Sequence, residues 1–375
     1  LDAGFLNANT HPAFDSLWSN NQIIGTHDFV RGGEVLFDEH PHGTMVLSCM
    51  GGNYPGQMIG TAPKAKYWLL RSEDGGSEYI IEEYNWVSAA EYADSVGADV
   101  INSSLGYTDF WDAAQSHTYS DMDGNTTPCT KGADMAAKKG ILVVNSLGNE
   151  GSNSWYYLSA PSDGDSVMGI GAVDDSGNYA SFSSHGPSYD GRVKPDVAAQ
   201  GSGVCVANPD SEGFVFSGGT SFSSPIMAGM SACLWQANPS MNNMQIADAI
   251  RQSASQYSSP DEMLGYGIPD FIIANNILTI IDDHEGEKID LSVYPNPFNE
   301  HFVVEAWKHG GMEARGEDMV IEIVDITGRS IGTQKAELSS QPAIKIDLLK
   351  ESPAGIYFVK VNIGEKQTVI KVTKN

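Results

Sequence analysis

The chain has 375 residues, with 48 Asp and Glu against 21 Lys and Arg, for a formal charge of −27. That length allows a sizeable core and two domains, and the acidic balance excludes the basic surface that nucleic-acid binding needs. No apolar run reaches the roughly 18 residues of a membrane span, and the opening residues do not read as a signal peptide.

The first element is Leu1-Asp2-Ala3-Gly4-Phe5, in which an apolar residue leads into an acid and a glycine turn. An aspartate so near the first residue, with no strand ahead of it, is expected to fray; a sequence that begins mid-gene is the simplest explanation, and a true terminus here would give poor folding and sharply reduced turnover. His42 opens His42-Gly43-Thr44-Met45-Val46-Leu47-Ser48, a loop running into an apolar helical segment. His40 falls on the other side of an extended backbone and reads as a solvated loop residue. Ile80, Tyr84, Val87 and Ala90 have helical spacing and predict a helix over 79–96, closed by Gly97 as a left-handed cap. A strand over 98–103 then delivers Ser104-Leu105-Gly106 at its C-terminal end, where open parallel sheets hold ligands.

Asp121-Met122-Asp123-Gly124-Asn125 is oxygen-rich, and reads equally as a calcium loop or an Asx-rich turn. A helix over 133–139 precedes a buried strand over 141–144. That strand runs into Leu147-Gly148-Asn149-Glu150-Gly151, from which Asn149 can aim an amide at an oxyanion. A strand over 167–173 and helices after Ser221 and Asn242 continue the alternation, which implies a parallel sheet with helices on both faces. His185 sits in a turn and reads as non-catalytic, Asp99 as a strand-edge acid, and Asp196 as a loop-fixing one.

Gly219-Thr220-Ser221-Phe222-Ser223-Ser224-Pro225 carries the strongest chemical signal. Gly218 and Gly219 permit a sharp turn. Pro225 falls where a first helical turn tolerates a missing N–H, and Ser221 then lies at a helix N-terminus that favours negative charge. A serine nucleophile needs a base, and the base an orienting carboxylate. His42 and Asp2 supply these types, and the order Asp, His, Asn, Ser is that of one convergent triad.

Asp-Ala-Gly, His-Gly-Thr, Ser-Leu-Gly, Gly-Asn-Glu-Gly and Gly-Thr-Ser-x-x-Ser-Pro occur here in family order, so the chain resembles the subtilisin-like serine proteases, or subtilases, from Leu1 to about Ile280. The resemblance implies a secreted endopeptidase with Asp2 as orienting acid, His42 as general base, Ser221 as nucleophile and Asn149 as oxyanion donor. It also implies Ser104, Leu105 and Gly106 as one rim of the cleft, pairing with the peptide as an added strand. No cofactor is required, protein or peptide substrates are expected, and a structural calcium ion at Asp121, Asp123 and Asn125 is the metal expectation. Gln200 stands where the family commonly has proline, and Ser146-Leu147 where alanines are usual. A non-catalytic peptide-binding protein on the same scaffold is the alternative. A serine esterase lacks its Gly-x-Ser-x-Gly elbow.

The catalytic region is expected over 1–281 and a charged linker over 282–290. Over 291–375 the texture changes to short alternating strands, at 302–306, 320–325, 344–348, 355–361 and 368–372, which read as a small β-sandwich. Val293-Tyr294-Pro295-Asn296-Pro297-Phe298, Asp325-Ile326-Thr327-Gly328-Arg329, Gly355-Ile356-Tyr357-Phe358-Val359 and Lys371-Val372 resemble the C-terminal sorting domain of type IX secretion cargo. That resemblance implies a Bacteroidetes-type bacterium, export through periplasm and outer membrane to the surface or medium, and the type IX machinery as partner. A monomer is expected. Of four cysteines, Cys49 and Cys233 are expected as buried free thiols on helices, and Cys129 and Cys205 as a candidate disulfide between loops.

Overall fold

The computed structural model describes residues 1–285, 289–308, 318–325, 328–337, 343–350, 352–363 and 366–375, which separate into two units, Leu1–Thr279 and Ile280–Asn375. In the first unit a short helix α1 (Asp15–Ser19) leads to strand β1 (Ile23–Asp28). Helix α2 (His42–Gly51), a small hairpin of β2 (Asn53–Tyr54) and β3 (Met58–Ile59), and strand β4 (Tyr67–Arg71) follow. β4 runs parallel to β1. Then α3 (Ile81–Ser95), β5 (Val100–Ser103), α4 (Pro128–Lys138), β6 (Leu142–Ser146), β7 (Val167–Val173) and β8 (Val197–Gln200) succeed one another. β5-β6-β7-β8 pair in that order, all parallel. An antiparallel hairpin, β9 (Val204–Ala207) and β10 (Phe214–Ser217), feeds α5 (Thr220–Ala237), which is followed by α6 (Asn243–Gln252) and α7 (Phe271–Glu285).

Every residue of β6 and β7 is buried, as strands covered on both faces require. α5 packs across β5 to β8 and against α2, while α3 and α4 pack on each other. Trp86, Ala89 and Ala133 from those two helices share a core with Ile101 and Val143 of the sheet. The cap expected at Gly97 is there: φ is +75°, and Gly97 and Ala98 donate back to Asp94 and Ala93, closing the last turn as a Schellman motif. Helix α4 starts at Pro128, ahead of the expected 133, because Thr127 caps it and Pro128 takes its first position.

Three expectations are corrected here. The opening residues do not fray: Asp2 N donates to Leu70 O and Ser72 N to Asp2 O, while Leu1 N donates to Asn102 O at 2.8 Å. Leu1 and Asp2 thereby bridge β4 to β5. Helix α3 turns another face inward: Tyr84 is exposed, while Glu82, Glu83 and Trp86 are buried. Trp86 Nε1 donates to Ser103 Oγ, and Glu83 accepts from Cys129 N and pairs with His117, so the inward acids have partners. All four cysteines are free: Cys129 is buried on α4, Cys205 lies on β9, and Cys233 is exposed rather than buried.

Helix α7 runs through Glu285, so the front of the expected 282–290 linker is helical; residues 286–288 lie outside the described residues. In the second unit β11 (Ile289–Tyr294), β12 (Phe302–Lys308) and β15 (Ala343–Ile346) form one antiparallel sheet. β14 (Ser330–Glu337), β13 (Asp318–Asp325), β16 (Gly355–Ile363) and β17 (Lys366–Lys374) form a second, in that order. Phe302, Val304 and Ile346 from the first meet Ile321, Val359 and Val372 from the second in one core, which makes the unit a sandwich. The two strands absent from the sequence reading, β11 and β14, are sheet edges, where a polar run such as Ser330–Glu337 suffices. Ile326 and Thr327 of the second sorting motif lie outside the described residues.

Candidate active site

β10 ends at Ser217, and Gly218 and Gly219 turn the chain into α5, whose second residue is Ser221. Gly219 N donates to Gly201 O at 2.8 Å, anchoring the turn. Pro225 lies beyond the first turn of the helix, later than the sequence reading put it. Lacking an N–H, it leaves the Ser221 carbonyl without its helical donor, and Ser104 Oγ donates to that oxygen at 2.9 Å. Ser224 Oγ donates to Asn102 Oδ1 at 2.9 Å. The hydroxyls around Ser221 thus tie the Ser221 turn to the end of β5.

His42 is the first residue of α2 and Asp2 sits on the sheet beside it. His42 Nδ1 and Asp2 Oδ1 are 2.8 Å apart, and the same oxygen accepts from Ala3 N at 2.8 Å. Asp2 is 1% exposed, and its Oδ2 is buried without a protein donor. Gly43 has no room for a side chain: a Cβ there comes 2.3 Å from Gly4 O and 3.0 Å from Asp2 Cβ. Burial by itself lowers the His42 pKa, but the Asp2 charge and hydrogen bond, with Glu73 adding, raise it above its ordinary value. The fixed Asp2 contact leaves Nε2 as the ring nitrogen free to exchange a proton. His42 lies on the side of α5: its ring centroid is 6.3 Å from that of Phe222, next to Ser221.

Asn149 lies at the same turn. Its Oδ1 accepts from Thr220 N at 2.9 Å and Thr220 Oγ1 at 3.1 Å, which reserves Nδ2 as a donor. Thr220 Oγ1 also accepts from Gly148 N at 3.2 Å. Thr220 therefore fixes the Asn149 loop from the residue preceding Ser221, a role that the sequence signalled only by a hydroxyl in the tag. In the Ser104-Leu105-Gly106 segment, the Ser104 and Leu105 side chains are buried and only Gly106 is exposed. This segment thus presents backbone rather than side chains.

Arg71, 1% exposed, braces the acid from behind. Its Nε donates to Ala3 O at 3.0 Å and its Nη1 to Asp28 Oδ2 at 3.0 Å, with Glu39 and Asp74 at the remaining nitrogen. His185 is buried, stacked on Tyr156 and bonded to Tyr179. Asp196 pairs with Lys194 and Arg251 in its loop. The Asp121, Asp123 and Asn125 turn does not fit a calcium ion. Asp121 Oδ2 accepts from Thr118 N and Oγ1, and Asp123 from Asn125 N and Thr126 Oγ1. The Arg192 guanidinium packs against Gly124, placing a fixed positive charge at this turn. Among the described residues no group of three or more His, Cys, Asp or Glu is placed to hold a metal.

Residues 2–267 match the subtilase family of peptidases, most of the chain. The chain belongs to the subtilase family. This subtilase is 30% identical to a thermophilic serine proteinase of Bacillus sp. strain AK1 over 260 residues, covering 69% of the chain and 56% of that protein. It is 31% identical to subtilisin DY of Bacillus licheniformis, covering 62% and 77%. It therefore spans little more than half of the first relative's length. Among solved structures it is similar to the prenylagaramide maturation protease PagA, with a TM-score of 0.57 and 22% identity, covering 74% of this chain and 91% of that one. It is also similar to MycP1 from Mycobacterium smegmatis, with a TM-score of 0.55 and 20% identity, covering 73% and 78%. These two likenesses concern the fold. Residues 292–375 match the secretion system C-terminal sorting domain, so the subtilase carries an export signal. Among the described residues no helix is long and apolar enough to cross a membrane.

Proposed function

We propose that the chain is a serine endopeptidase that cleaves peptide bonds through an acyl-enzyme. His42 takes the Ser221 proton, Ser221 attacks the carbonyl, and the Asn149 amide with the Ser221 N–H holds the oxyanion. His42 then gives its proton to the leaving amine, and water repeats the sequence to release the acid. The substrate's acyl side lies along the backbone of Ser104, Leu105 and Gly106 as an added strand. Each of these steps is assigned to side chains and amides of the chain itself. The observation that carries the reading is the Asp2–His42 hydrogen bond of 2.8 Å, in a subtilase whose oxyanion candidate is fixed by the residue before Ser221. We further propose that the C-terminal sandwich addresses the enzyme to type IX secretion, through periplasm and outer membrane.

Covalent labelling with a fluorophosphonate probe tests the chemistry. The unmodified chain should label at Ser221, Ser221→Ala should not, and His42→Ala should label at a greatly reduced rate. A folded chain that neither labels nor cleaves an unfolded protein substrate sinks the peptidase reading.

A further inference from the structure

Resting on the peptidase reading, we propose that Glu73 and Glu82 form an acidic subsite that recognises a lysine or arginine side chain on the acyl side of the substrate. The segment from Ser72 to Ile80 joins β4 to α3 at the C-terminal end of the sheet. Ser72 N donates to Asp2 O at 3.1 Å. Gly75 packs so closely under His40 that a Cβ there comes 2.6 Å from the ring. On its other side Trp111 N donates to Glu78 O, and Ile80 N to Gln115 Oε1. The segment therefore spans from the Asp2–His42 pair to the loop that continues from the Ser104-Leu105-Gly106 rim.

Glu73, Glu78 and Glu82 lie on it or just beyond, close enough to feel one another's charge. Glu82 is 1% exposed, and its carboxylate accepts from Ser77 Oγ and Tyr79 N, with the Asp74 backbone also acting on it. Glu73 is half-buried with no hydrogen bond, and no basic side chain pairs with any of the three among the described residues. The nearby Arg71 is engaged by Asp28, Glu39 and Asp74.

Two further observations point to a cation as the missing partner. The Tyr107 hydroxyl is fully buried without a partner, and Glu73, Glu82 and Glu83 all act on it. At the surface Tyr79 and Trp111 are exposed and meet edge to face at 5.3 Å, and aromatic faces beside carboxylates attract ammonium and guanidinium groups. Burial and the neighbouring acids push Glu73 up to about 8, with His42 opposing, and Glu82 up to about 7, as expected of buried carboxyls set among like charges. The charge of −24 over residues 1–284 favours the approach of basic peptides to this unit as a whole.

The test uses the full chain carrying Ser221→Ala, so that peptides bind uncut. A fluorescein-labelled peptide of fixed sequence is scanned with arginine, or with its neutral isostere citrulline, at each position in turn. Binding is followed by anisotropy. At one or two positions the arginine peptide should bind about tenfold tighter or more, and Glu73→Gln with Glu82→Gln should shrink that ratio to about threefold or less. Equal affinity of the arginine and citrulline peptides at every position overturns the subsite, and needs no mutant of the acids. Labelling and cleavage by the unmodified chain report separately on the peptidase reading.

Discussion

His42 stands between two opposed influences. Its burial disfavours the imidazolium, yet the adjacent Asp2 carboxylate outweighs that and raises the pKa. As the general base of the proposed mechanism His42 must be neutral, so activity should rise with pH through the raised value. The contribution of the charged pair to folding runs the other way. It is fully present below the ordinary histidine pKa and fades as pH climbs through the raised one. Asp2→Asn should move the acid limb of kcat/KM to lower pH and cut kcat by on the order of 10⁴, the scale known for such a change in another serine protease. A pH–rate profile on a peptide substrate checks both effects; an unshifted limb means that Asp2 does not set the His42 proton. Four of these residues, Asp2, His42, Asn149 and Ser221, were legible because each sits in a short tag whose neighbours are constrained by chemistry. Ser104 was legible only as a position. Its support of the Ser221 carbonyl depends on Pro225 having released that oxygen, a consequence of where α5 begins that no local pattern discloses.

At the scale of elements, the parallel sheet was legible because interior strands such as Val167–Val173 are continuous apolar runs bounded by polar loops. The inward face of α3 was not, because two glutamates occupy it, and Glu83 finds its partners in Cys129 and His117, distant in sequence. Arg71 was missed for the same reason: nothing in Tyr67–Arg71 shows that its last residue gathers acids from three other segments. Its fork links Ala3 to Asp28 of β1, beside the backbone bonds that join the Asp2 segment to β4. Arg71→Leu removes the counter-charge from Asp28, which is 2% exposed, and frees Ala3 O beside Asp2. Leaving a buried charge unpaired costs about 3–5 kcal/mol. Urea unfolding should show a loss of that size, and the fluorophosphonate labelling rate of the folded fraction should fall with it. A loss under about 1 kcal/mol means that the buried acids find other partners and that the brace is dispensable.

Over the whole molecule charge and chemistry are divided between the two units. Residues 1–284 hold −24 of the net charge and all the candidate catalytic groups, whereas residues 285–375 hold −3 and a sandwich with a core of its own. A unit with a separate core is removable without opening its neighbour. Nothing in the proposed acyl transfer draws on the second unit, whose match is to a sorting domain. Deleting residues 291–375 should therefore separate address from activity. In the native host the shortened chain should accumulate in the periplasm, found by fractionation and immunoblot, while Ser221 still labels at a rate within about twofold of the full chain. Appearance of the shortened chain in the medium at the normal level refutes the address role. Loss of labelling with normal folding would instead make the sandwich part of the catalytic machinery, contrary to the independence of its core.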